Sequence, residues 1–222
     1  MKKLYVALLG AIFLSGCASQ QIQLPLRPVS EPPTGQERTV NLGDRMLMQA
    51  VGYRTDILSV DAMSPFGVNI PRGTFCRVPG TNKFVSFNSR AVGLKNAFGS
   101  VIDYTNLLTY KPADNEICAS GTITLCYDSS DGRFEVLEDR LCSDPTSFQQ
   151  VIEYNGRAGK VLNFTYREFS RDHMRSAYTT NFTMDLNNGN EITYKGARLR
   201  ILDASNEKIT YQVISNFNDA TL

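Results

Sequence analysis

The stretch ARLRILDASNEKITYQVI, residues 197 to 214, decides the fold. Leu199 and Ile201 fall on one side of a first extended run, while Ile209, Tyr211 and Val213 fall on one side of a second. Apolar residues at period two mark half-buried strands, and the polar break at Ala204 to Glu207 supplies a turn, so the two runs predict a hairpin. Its facing apolar side chains are the cross-strand pairs that stabilise a sheet. Just upstream, Phe182, Met184 and Leu186 alternate up to Asn187-Asn188-Gly189, and Ile192 and Tyr194 resume the alternation beyond it, the spacing of another hairpin. Such units bury one face only and need a second layer. The expected fold is therefore mainly β, an antiparallel β-sandwich or small barrel with at most one or two short helices.

Working outward, DPTSFQQVIEYNG (144 to 156) supports two readings. Asp144 as N-cap, Pro145 at the first helical position and Phe148, Val151 and Ile152 on one face suit a short helix ended by Gly156. Asn155-Gly156 is also a hairpin signal, and KVLNFTYREF beyond it alternates through Leu162, Phe164 and Tyr166, which favours paired strands. GTITLCYDSSDGRFEVLED (121 to 139) reads as a hairpin turning at Asp128 to Gly132. Between residues 64 and 88, Phe75, Phe84 and Phe87 mark short strands divided by Pro and Gly, and a brief helix is expected over Arg90 to Ala97. MLMQAVGY and TDILSV, before them, read as strands.

Composition excludes several classes. The chain is 42% hydrophobic with a formal net charge of +1, which fits a globular protein and leaves no basic excess to hold nucleic acid. The first residues carry a different signal. Lys2 and Lys3 precede an apolar run from Leu4 to Leu14, the charged and hydrophobic regions of an export signal. That run is shorter than the roughly 20 residues a spanning helix needs.

Leu14-Ser15-Gly16-Cys17 resembles the lipobox of bacterial lipoproteins. The resemblance implies removal of residues 1 to 16, a diacylglyceryl thioether on Cys17 and an acyl chain on its new amino group. Ala18, in place of an aspartate, implies sorting to the outer membrane, lipid-anchored and facing the periplasm. Two or more acyl chains give stable anchoring where one gives only marginal binding. An ordinary signal peptide, which would leave Cys17 as an odd thiol, is the alternative. Residues 17 to 38, with Pro25, Pro28, Pro32 and Pro33, read as a lipidated tether. At about 3.1 Å per residue, such an arm would extend about 60 Å. Residues 39 to 222 read as a single β-rich domain.

Cys76, Cys118, Cys126 and Cys142 are even in number and suit up to two disulfides in an oxidising compartment. Linkage of Cys126 to Cys142 and of Cys76 to Cys118 is one of three connectivities. Zinc is disfavoured because no pair has the short ligand spacing and the one histidine, His173, lies far downstream. The sequence lacks the nucleophile elbow, the phosphate-binding loop and the H-E-x-x-H motif, and it carries no cofactor signature.

Charge is densest in YREFSRDHMRSAY, where Arg167, Arg171 and Arg175 could grip an anionic glycan, a lipid headgroup or a protein carboxylate through planar forks. The same acids and bases also suit a solvated connection. Paired carboxylates for glycoside chemistry could lie among Glu135, Glu138 and Asp139. YNGRAG, FTYREFS and YKGARLRILDASNEKITYQVI are similar to the C-terminal pattern of some uncharacterised bacterial proteins, which implies a self-contained β module and no activity. The expected role is a non-enzymatic envelope lipoprotein that binds or assembles. A subunit of a secretion or conjugation complex and an envelope hydrolase are the alternatives.

Overall fold

Sixteen consecutive residues, Arg45–Val60, form the longest strand among the described residues. The computed structural model describes residues 22–121, 123–169 and 178–217. Before the long strand, β3, come β1 (Arg27–Glu31) and β2 (Glu37–Asn41). After it come β4 (Val68–Asn69), β5 (Gly73–Arg77), β6 (Lys83–Val85), β7 (Val92–Lys95) and β8 (Val101–Thr105). Then follow β9 (Leu107–Lys111), β10 (Glu116–Ser120), β11 (Thr124–Tyr127) and β12 (Phe134–Ser143). The last third holds β13 (Gln149–Ala158), β14 (Val161–Phe169), β15 (Tyr178–Asp185), β16 (Glu191–Tyr194), β17 (Ala197–Ala204) and β18 (Lys208–Ser215). A single 3-10 turn, Leu186–Asn188, is the one helical element among the described residues.

The protein is mainly β, built from antiparallel sheets that do not close into a barrel. The large sheet has the order β11-β10-β9-β6-β5-β3-β13-β14-β15, with β1 and β12 also on β3. A four-stranded sheet, β16-β17-β18-β2, and a three-stranded sheet, β4-β7-β8, complete it. Two cores result. In one, Met46, Leu47, Ile152, Leu162 and Phe164 pack with Leu199, Ile209, Tyr211 and Val213 of the four-stranded sheet. In the other, Leu58, Val60, Phe75, Phe84 and Leu108 pack with Val68 and Val92 of the three-stranded sheet. Met46 and Leu47 are successive yet both enter the first core, because the β3–β13 register shifts beside them.

Tyrosines join the layers of the first core. The Tyr211 hydroxyl donates to the Met46 carbonyl and the Tyr154 hydroxyl to the Ser205 carbonyl. Gln150 Nε2 donates to Tyr166 Oη at 2.7 Å, and that hydroxyl donates to Glu168 Oε1 at 2.5 Å. Buried hydroxyls are thus satisfied, as an apolar interior requires.

Strand pairing departs from the sequence reading in several places. The 197–214 hairpin is present as β17–β18, with Ile201 opposite Tyr211 and Leu199 opposite Val213. Residues 149 to 158 are strand, as favoured, but Gly156 at φ +94° sits in a bulge and Gly159-Lys160 makes the turn to β14. No hairpin forms around Asp128 to Gly132. The chain does turn there, Asp131 N donating to Asp128 O, but β11 pairs with β10 and β12 leaves to pair with β3. Residues 187 to 189 likewise link two sheets: β15 pairs with β14 and β16 with β17, while Phe182 and Tyr194 stack across the layers at 4.2 Å. In place of a helix over 90 to 97 stands β7, where bare Gly93 lets the Val101 side chain lie over the backbone.

The expected free arm is also shorter. Residues 27 to 31 form β1 on the edge of β3 and residues 37 to 41 form β2 on β18. Proline is compatible with an edge strand, whose outer N–H needs no partner, so Pro28 does not prevent pairing.

At Gly52 the backbones of β3 and β12 approach closely. A Cβ there would overlap the Cys142 carbonyl oxygen and lie 2.8 Å from the Ser143 Cα. Gly52→Val should therefore lower stability by about 2 kcal/mol or more, as overpacking does, visible in the denaturant midpoint; an unchanged midpoint would show that β12 moves aside freely. Burial pushes Tyr53 up to about 12 and raises Tyr166 and Tyr211 as well. A raised folded-state pKa favours the protonated phenol, so this stability is complete below about pH 10 and is lost as pH climbs above it. Titration of tyrosine absorbance should show these phenols ionising only as the fold is lost, and free ionisation at pH 10 would contradict it.

Candidate binding surfaces

The two disulfides lie at different kinds of site. Cys118 and Cys126 are directly paired residues of β10 and β11, with Cα atoms 4.0 Å apart. Cys76 of β5 and Cys142 of β12 are linked across the waist, with Cα atoms 5.9 Å apart. This replaces the connectivity suggested from sequence. Cys142 follows β12 onto β3 opposite Tyr53, well away from Cys126, while Cys76 sits opposite Ile57 on the other edge of the same strand. Glu116 and the Cys118 and Cys126 sulfurs lie within 4.8 Å of one another. Sulfurs joined as a disulfide offer no thiolate, so the group does not hold a metal in this state.

The waist disulfide lines a cleft of about 350 Å³. Ile57, Phe75, Phe87, Leu141 and Pro145 give it apolar walls, and Ser86, Asn88 and Ser143 lie among them. Arg72 at its edge is paired with Asp61 at 3.1 Å, and Asn88 Oδ1 accepts from the Arg90 N–H at 3.0 Å. The cleft suits a small, mostly apolar group. Leu24 and Phe87 pack beside it on the cluster of Tyr53, Cys76 and Cys142.

The candidate arginine grip is only partly placed. Cys17, Arg171, His173 and Arg175 lie outside the described residues. Arg167, on β14, is half exposed and holds Glu153 of β13 at 3.0 Å. Beside it Lys195 Nζ reaches Glu168 Oε1 at 2.6 Å. Acids thus offset bases in this part of the cluster.

Among the β12 carboxylates, Asp139 is held in an ion pair. Asp139 accepts from Arg54 Nε at 3.0 Å, and this guanidinium holds its carboxyl below the usual range. Arg198 and Arg200 do the same to Glu191. A general acid requires the opposite displacement.

The feature that sequence reasoning missed is the β7–β8 hairpin. Phe98 at its tip is 93% exposed, Ile102 is 67% and Tyr104 is 47%, and Ala97 and Val101 are also exposed. Phe66, 70% exposed, flanks the tip end of the hairpin, since Gly67 O accepts from the N–H of Lys95, which lies opposite Val101. Arg90 lies over the Tyr104 ring at 5.2 Å and Lys95 Nζ donates to Ser64 Oγ at 3.1 Å. The chain's aromatics are expected inward, and most obey; the run AFGSVIDY instead places apolar groups on successive residues, which both faces of a strand must share. That loss of alternation is the signal that was present.

Comparison with known protein families, with curated proteins and with solved structures found no match.

The waist disulfide closes a loop of 66 residues and the hairpin disulfide one of 8. Loop-closure entropy assigns about 4 kcal/mol to the first and about 2.5 kcal/mol to the second. Replacing Cys76 and Cys142 with alanine should accordingly lower the denaturant midpoint more than replacing Cys118 and Cys126. The reverse order would mean that the waist is held by other contacts.

Proposed function

We propose that this chain is a lipid-anchored lipoprotein of the bacterial envelope, held in the outer membrane facing the periplasm, with a binding or assembly role and no catalysis. The observation that carries the reading is Leu14-Ser15-Gly16-Cys17 after a basic and apolar leader. Acylated Cys17 is the contact with the bilayer. The domain then works by confinement: holding a binding surface at a membrane raises its effective concentration for anything else held there.

Two features of the domain support this reading. Its apolar waist cleft and exposed hairpin offer contact surface, while the carboxyls held by arginines suit structural ion pairs. An envelope protein or an anionic glycan or lipid is the partner class, the first suited to the apolar surface and the second to arginine side chains.

Changing Cys17 to serine should leave an unacylated precursor in the soluble or inner-membrane fraction, and mass spectrometry of the wild-type N-terminal peptide should show three acyl chains on Cys17. Unchanged outer-membrane fractionation of the variant, with no acyl mass on the wild type, would reject the reading.

A further inference from the structure

We propose that the β7–β8 hairpin inserts its apolar tip into the lipid surface, giving the domain a second membrane contact besides Cys17. The proposal rests on the tethered-lipoprotein reading for how the hairpin reaches lipid, and its motivation is the shape and chemistry of the hairpin itself.

Along β8, Val101 and Ile102 are successive at the register shift of the β7–β8 pair, where Leu94 lies opposite Asp103 but Lys95 lies opposite Val101. Val101 and Ile102 are exposed, as is Tyr104, and the convex tip between the strands carries Ala97 and fully exposed Phe98. Gly99, at φ +81°, turns the tip with no atom near its Cα substituent position. A fluid apolar phase takes in a projecting tip of this kind without a preformed complementary pocket, which suits exposed Phe98 and its apolar neighbours. The collar is equally suited. Lys95, opposite Val101, stands directly behind the tip, Arg90 and Tyr104, an aromatic with a polar tip, lie toward the other end of the strand pair, and Asp103 is the sole acid from residue 90 to 105. Basic and amphipathic aromatic residues just behind an apolar tip match anionic headgroups above acyl chains.

The position of the anchor agrees. Leu24 is packed on the waist, so only seven residues separate Cys17 from a fixed point of the fold. At no more than about 3.6 Å per residue, the waist lies within about 25 Å of the acylated residue. Phe87 packs on that same cluster and lies five residues before β7. The hairpin therefore springs from the region the anchor holds close to lipid.

The chain contains no tryptophan, so Phe98→Trp places a single indole at the tip. The full lipoprotein carrying this substitution would be reconstituted into vesicles of phosphatidylethanolamine and phosphatidylglycerol, with and without brominated acyl chains. A second protein carries Leu202→Trp, on an exposed position of β17 in the other half of the molecule. Both sites are exposed, so neither substitution touches a core. The expected result is a blue-shifted emission and strong quenching by brominated chains at position 98, with neither at 202. Equal emission and no quenching at 98 would overturn the proposal and leave the patch to a protein partner. Vesicle flotation reads the anchor separately. Flotation without quenching sinks the hairpin contact alone, whereas loss of flotation with unmodified Cys17 sinks the tether reading, and quenching in that mixture still decides the hairpin.

Discussion

Strand β3 is the constraint from which the rest of the structure follows. Both of its edges are used twice. One edge holds β13 and then β12, and the other holds β1 and then β5. Its first half faces one core and its second half the other, so two sandwiches share a single backbone. Strands on opposite edges of a flat β3 would lie about 9.6 Å apart, two interstrand spacings. Cys76 and Cys142 nevertheless meet, which requires the sheet to curl sharply at the waist. Gly52 makes room for that curl.

The same constraint explains which parts of the fold were legible in the sequence. The β17–β18 pair was readable because its two strands are neighbours in sequence and in space, and their alternation encodes both the element and its partner. Residues 182 to 194 show the limit: alternation placed Phe182 and Tyr194 on apolar faces, but only the sandwich decides that those faces oppose each other across layers. Asp131-Gly132 and Asn155-Gly156 are turn chemistry that a crossover and a bulge use as readily as a hairpin does. The disulfide pairing depends on β12 reaching β3, a contact between residues about 85 positions apart in the chain, as Arg54 and Asp139 illustrate. No local pattern carries that information.

At the candidate contact surfaces the balance differs. Cys17 is proposed as the lipidated residue from its context alone, because an export and lipidation signal is read as a linear string. Phe98 is not legible in this way, since an aromatic is core by default and only the placement of a three-stranded sheet over the second core leaves its outer strand uncovered. The incorporation of β1 into the sheet changes the meaning of the N-terminal segment. Under the proposed lipid anchor, an arm read as holding the domain far from a bilayer would become a short link that holds the waist near it.

The central structural claim is that β3 couples the two cores into one cooperative unit. Native-state amide hydrogen exchange, followed by mass spectrometry of peptides from β3, β14 and β9, tests it most directly. β3 should exchange most slowly, and β14 and β9, one in each core, should open with the same free energy. Rapid exchange of one core while the other stays protected would contradict it and divide the molecule into two independent folds.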